Sequence, residues 1–146
     1  MESRNPTFRG RILVVDSDDW CRQFLSQVLK LVGIEEFRLA SSVTEALEAI
    51  QSEAFDLLIS DLKFPDYQQL LEDCRQRFPG IRFILMLNRR AQPISISYHE
   101  HVEVVVKPLS LDEMARKIRE AIQRRQRHRV EEQLRRFKQD ISRFIG

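Results

Sequence analysis

The chain has 146 residues, room for one ordinary domain plus an appendage, and an apolar share of 42% is enough for a core. No apolar run approaches the roughly 20 residues needed to span a bilayer, and Met1–Gly10 lacks the apolar centre of a signal peptide. The net charge of +2 hides an asymmetry: residues 1–109 hold 13 basic and 16 acidic side chains, residues 110–146 hold 11 and 6, and the basic end is read as a solvated helix rather than a nucleic-acid contact.

Behind an N-terminal arm (residues 1–9), apolar runs and helical patterns alternate. A strand is predicted at about Arg11–Val15. A helix follows over Asp19–Val32, with Phe24, Leu25, Val28, Leu31 and Val32 towards one side and Gly33 as its C-cap. A short strand is expected at Phe37–Ala40. Ser42-Val-Thr-Glu45 is a capping box opening a helix to about Glu53. The next strand is Leu57–Ser60, and a helix over Tyr67–Phe78 stops before Pro79-Gly80. Strands at about Arg82–Leu87 and Val102–Val106 complete the set. Between them, Asn88–His101 contains Pro93 and the β-branched Ile94 and Ile96, leaving space for one or two helical turns at most, or for an irregular loop. Ser110-Leu-Asp-Glu113 is a second capping box. From Leu111 to Ile145 there is neither Pro nor Gly, and Val130, Leu134, Phe137, Ile141 and Phe144 recur at spacings of four and three. Cys21 and Cys74 lack metal spacing and sit in apolar helical patterns, as buried, reduced thiols of a cytosolic protein do. The four glycines form neither GxGxxG nor a P-loop, which argues against the two common nucleotide sites of α/β proteins.

Three of the apolar runs deliver a charge at their C-terminal ends: Asp16, Asp61 and Lys107. Continuous apolar runs mark parallel strands buried on both faces, and ligands of open α/β sheets bind beyond the carboxyl ends of the strands. Carboxylates gathered there need a cation or a proton. Hard oxygen ligands of this kind suit Mg²⁺, an aspartate can attack phosphorus, and a lysine can pair with a phosphoryl group.

Ile-Leu-Val-Val-Asp16-Ser-Asp-Asp, Phe-Asp-Leu-Leu-Ile-Ser-Asp61-Leu-Lys-Phe-Pro-Asp and Val-Val-Val-Lys107-Pro-Leu, in this order, resemble the three motifs of the response-regulator receiver domain, the CheY-like phosphoacceptor fold. The resemblance covers about residues 10–125. It implies an α/β fold with a doubly wound five-stranded parallel sheet of order 2-1-3-4-5, here with an eroded fourth helix and an extended C-terminal helix. The receiver would occupy residues 10–126 and a helical, coiled-coil-like extension residues 127–146. The resemblance makes Asp61 the phosphoacceptor. Asp16, Asp61 and the backbone carbonyl of Lys63 become the Mg²⁺ ligands, and Lys107 the phosphate contact, joined to Pro108 by a cis peptide bond. It also implies a cytoplasmic bacterial protein of a two-component phosphorelay. Its partners would be a sensor histidine kinase or phosphotransfer protein and a downstream output, and it would not be a turnover enzyme.

Several positions depart from the family pattern. Ser17 stands where a second acid usually ligates Mg²⁺, so metal binding is expected to weaken unless Asp18 is recruited. The switch hydroxyl at the end of the fourth strand is replaced by Leu87 or Asn88, and the aromatic switch residue by Val104. A phosphorylation-independent pseudo-receiver, serving as an interaction or dimerisation module, is therefore the alternative. A minor one is a phosphatase-like domain with Asp16 as nucleophile and Asp18 as general acid. The apolar stripe of the tail calls for a partner: a second copy (giving a homodimer), the parent domain, or a further domain.

Overall fold

The computed structural model describes residues 10–63, 66–88 and 101–145. The N-terminal arm, Pro65 and most of the segment assigned to the eroded fourth helix lie outside the described residues. The elements are β1 (Arg11–Val15), α1 (Asp19–Val32), β2 (Glu36–Ala40), α2 (Val43–Ser52), β3 (Leu57–Asp61), α3 (Tyr67–Arg77), β4 (Arg82–Asn88), β5 (Val102–Lys107) and α4 (Leu111–Ile145). The five strands form one parallel sheet in the order β2-β1-β3-β4-β5, as the resemblance implies.

The alternation of side chains along a strand splits the core into two layers. Ile12, Val14, Leu57, Ile59, Ile84, Met86 and Val105 face α1 and the first half of α4. Leu13, Val15, Leu58, Phe83 and Leu85 face α2 and α3. The central strands β1 and β3 are buried throughout apart from Arg11, which is why their sequences read as unbroken apolar runs.

The helix ends follow the expected chemistry. Gly33 closes α1 at φ +92°, and the bonds Gly33 N–H to Lys30 O (3.1 Å) and Ile34 N–H to Leu29 O (2.9 Å) complete a Schellman-type end. One inward position is corrected: Leu31 is 72% exposed, and Leu29, one turn after Leu25, takes its place in the core. In α2 the Glu45 N–H donates to Ser42 Oγ at 3.2 Å. The Glu45 carboxylate, however, reaches Ser41 rather than Ser42, accepting from both its N–H and its hydroxyl.

α4 runs unbroken through the 126/127 boundary, with Met114, Ile118, Ala121, Ile122 and Arg125 buried against the sheet. Arg125 and Arg129 both pair with the carboxylate of Asp56, at the start of β3, and Arg125 also donates to Pro79 O at 2.7 Å. Beyond Arg129 almost every residue is exposed, the seam positions included, so the helix stands clear of its own domain.

Candidate functional site

Asp61 is the last residue of β3, Lys107 the last of β5, and Asp16 follows β1, its N–H continuing the ladder to Ala40 O at 3.0 Å. Parity puts all three on the α1 side of the sheet. Asp16 continues Ile12 and Val14, Asp61 continues Leu57 and Ile59, and Lys107 continues Val105. Both carboxylates are buried, Asp16 at 0% and Asp61 at 3% exposure, where unpaired charges would be costly.

Lys107 supplies the pairing. From β5 its side chain spans the tip of β4, and the ammonium donates to Asp16 Oδ2 at 2.7 Å and to Asp61 Oδ2 at 3.0 Å. The remaining carboxylate oxygens take backbone donors: Asp16 Oδ1 from the Asp18 N–H at 2.9 Å, Asp61 Oδ1 from the Lys63 N–H at 3.0 Å. Burial alone would raise the Asp16 carboxyl. Hydrogen bonds from Lys107, the Cys21 thiol and the Asp18 N–H, with the lysine charge, outweigh it and hold Asp16 below the ordinary carboxylate range. Burial would likewise lower Lys107, but its bonds to the two aspartates outweigh it and raise the ammonium above its usual value. Cys21 is pushed up to about 12 by burial and by the Asp16 carboxylate, so it remains a thiol that can donate to that carboxylate.

The sequence-predicted residues divide accordingly. Asp16, Asp61 and Lys107 meet. Lys63 joins them through its N–H and also through its ammonium, 3.6 Å from Asp61 Oδ2. Asp18 takes another role, as the N-cap of α1: its carboxylate accepts from the Trp20 N–H at 3.0 Å. That placement lends no support to Asp18 as a general acid. At the end of β4, Asn88 pairs with Lys107 and shares its face, whereas Leu87 packs in the other core layer. Val104 is half-buried on the face opposite Lys107. Lys107–Pro108 is a cis peptide bond.

Sequence reasoning missed two groups. Arg22 donates to the Asp16 carbonyl at 2.7 Å and to Asp19 at 3.1 Å, bracing the loop from β1 into α1. Only its i, i+3 spacing from Asp19 hints at this. The side-chain contact of Lys63 with Asp61 depends on the turn after β3 and leaves no signal in the strand pattern.

Among the described residues no three His, Cys, Asp or Glu side chains are grouped to hold a metal ion. The oxygen donors nevertheless suit Mg²⁺, which commonly binds through one or two carboxylates and keeps several waters. Asp16 and Asp61 supply two such carboxylates, both shared with Lys107.

The sequence profile of the response regulator receiver domain matches residues 12–119. The chain belongs to that family. Over 118 residues this receiver is 30% identical to the DNA-binding transcriptional regulator NtrC of Escherichia coli, a match covering 78% of the chain and 25% of NtrC. Over 79 residues it is 40% identical to the response regulator protein FleR of Pseudomonas aeruginosa, covering 53% of the chain and 16% of FleR. The chain thus spans a quarter or less of these relatives. A solved signal receiver domain, from an HD domain-containing protein of Pseudomonas fluorescens, superposes with a TM-score of 0.69 at 27% identity, covering 81% of this chain and 98% of that one. Receiver domains of two-component response regulators are signalling modules rather than turnover enzymes, and they generally bind Mg²⁺ at this acidic site. No helix among the described residues is long and apolar enough to cross a membrane.

Proposed function

We propose that this receiver accepts a phosphoryl group on Asp61 from a sensor histidine kinase or a histidine phosphotransfer protein, in the cytoplasm. The observation that carries the reading is the single ammonium of Lys107 held between Asp61 and Asp16. A carboxylate oxygen of Asp61 attacks phosphorus, the bond from phosphorus to the donor's imidazole nitrogen breaks, and the electron pair returns to that nitrogen, which takes a proton. The new group brings negative charge into a buried site, and Lys107 is placed to shift from carboxylate to phosphoryl oxygen. Asp16, Asp61 and the Lys63 carbonyl would hold Mg²⁺, whose part is to neutralise charge on the phosphoryl oxygens. Asn88, beside Lys107, takes the switch position and offers an amide where the family offers a hydroxyl, while Val104 replaces the aromatic partner. The signal passes to a downstream output, and α4 beyond Arg129 pairs two copies.

A second reading, a phosphorylation-independent docking module, draws on one observation. All four carboxylate oxygens already receive protein donors, and Ser17 adds no charge to attract a metal. Incubation with Mg²⁺ and acetyl phosphate, followed by intact mass measurement, separates the two. The phosphoacceptor reading expects a gain of one phosphoryl group, absent in Asp61→Asn. An unchanged wild-type mass selects the docking module.

A further inference from the structure

We propose that the exposed part of α4 pairs with the same segment of a second copy in antiparallel orientation, centred between Leu134 and Phe137. The inference rests on the homodimer reading above and adds its direction and register. Residues 130–145 would project about 24 Å at the usual helical rise. Val130, Leu134, Phe137 and Phe144 are each more than half exposed, and Ile141 is 38% exposed. A helix of this length is marginal alone, and the uncovered stripe has the four-three spacing that two helices bury against each other.

Charges choose the direction. Arg127 is exposed and lies in line with the stripe, three residues before Val130. In a parallel pair it would face its own copy, setting like charges together in a seam layer. In the antiparallel pair it faces Phe144 of the second copy, and a guanidinium against an aromatic face is attractive. The same register places Val130 opposite Ile141 and Leu134 opposite Phe137, so four consecutive layers are apolar. The flanking positions agree. Antiparallel pairing brings Glu131 of each copy to Lys138 of the other, twice by symmetry, and Gln133 to Asp140. Parallel pairing offers Glu131 only Gln126, and Lys138 only Gln133, with no opposite charges matched.

The test uses the full chain with single cysteines at the seam; Cys21 and Cys74 are free but buried, which keeps them out of the reaction. Leu134→Cys and Phe137→Cys are oxidised separately and after co-expression in equal amounts, and covalent dimers are counted on non-reducing gels. The proposal expects cross-linking chiefly in the mixed sample. Efficient self-linking of Leu134→Cys alone, in a protein that light scattering shows to be dimeric, overturns the orientation and leaves the dimer reading standing. A monomer by light scattering overturns both. A charge exchange gives a second readout. Glu131→Lys should weaken dimerisation roughly tenfold by turning two attractive pairs repulsive, and adding Lys138→Glu in the same chain should restore it. A double variant as weak as the single one overturns the register.

Discussion

One ammonium serves two buried carboxylates in this site, so its three charges are not equivalent. Removing Lys107 leaves Asp16 without an ammonium partner and Asp61 with only the exposed Lys63 ammonium, 3.6 Å away. Removing Asp61 relieves like-charge repulsion and leaves Lys107 paired with Asp16. Lys107→Ala should therefore cost about 3 kcal/mol of unfolding free energy, and Asp61→Asn less than about 1 kcal/mol, read from urea midpoints. Equal losses would mean that the ammonium is not the shared partner. The pH window follows from the directions of the shifts. Asp16 is held down, so its stabilisation is present above its unfolded value of about 3.9 and fades as pH falls through its lower folded value. Lys107 is held up, so its share is present below about 10.4 and fades as pH rises through its higher folded value. The stability gap between wild type and Asp16→Asn should be level between those limits and close on acidification below about pH 4. Ser17→Asp should tighten Mg²⁺ by about tenfold or more, measured by titrating the fluorescence of the exposed Trp20, because it supplies the acid that the two-carboxylate set lacks. Unchanged affinity would show that position 17 does not face the ion. Asp16, Asp61 and Lys107 were legible because each ends an apolar run. That Asn88, and not Leu87, shares the face of Lys107 was not, because only the pairing of β4 with β5 fixes it.

At the scale of elements, boundaries that depend on local chemistry were readable and contacts that depend on packing were not. Gly33 announced the end of α1, and Pro79-Gly80 the end of α3. Nothing announced what stands over Gly80. Both glycines adopt left-handed backbone, at φ +92° and +83°, yet their surroundings differ. A Cβ at Gly33 meets nothing within 4 Å, whereas one at Gly80 falls 2.5 Å from Arg125 Nη1 and 3.2 Å from the His128 ring. Arg125 cannot yield freely, since its guanidinium holds Asp56 and the Pro79 carbonyl. Gly33→Ala should therefore cost only the backbone strain, about 1–2 kcal/mol. Gly80→Ala should cost about 1–3 kcal/mol more by leaving a buried charge pair misaligned. Thermal or urea unfolding of the two variants checks the ranking, and equal losses would show that Arg125 is not fixed in place. The pairing of Asp56 with Arg125 joins residues 69 apart in sequence, a link that no periodicity could have carried.

Across the whole molecule the two ends of the sheet carry different work. The carboxyl ends gather Asp16, Asp61 and Lys107. At the opposite end Asp56 accepts from the Arg11 N–H and from Arg125, clamping α4 where it leaves the sheet. The alternation of strands and helices made the parallel architecture legible. The tail's heptad spacing showed that it wants a partner, and the exposure of the seam removes the parent domain from the candidates. Truncation after Arg129 keeps the pair with Asp56 and deletes only exposed or half-buried side chains, so the intrinsic stability of the receiver should change by less than about 1 kcal/mol. Its dependence on concentration should change qualitatively. A dimer that dissociates on unfolding gains stability with protein concentration by mass action. The Tm of the full chain should therefore climb over a hundredfold rise in concentration, and the Tm of the truncated chain should stay flat. A flat profile for both would remove the tail as an association element. A rising profile for both would place the dimer contact on the receiver itself.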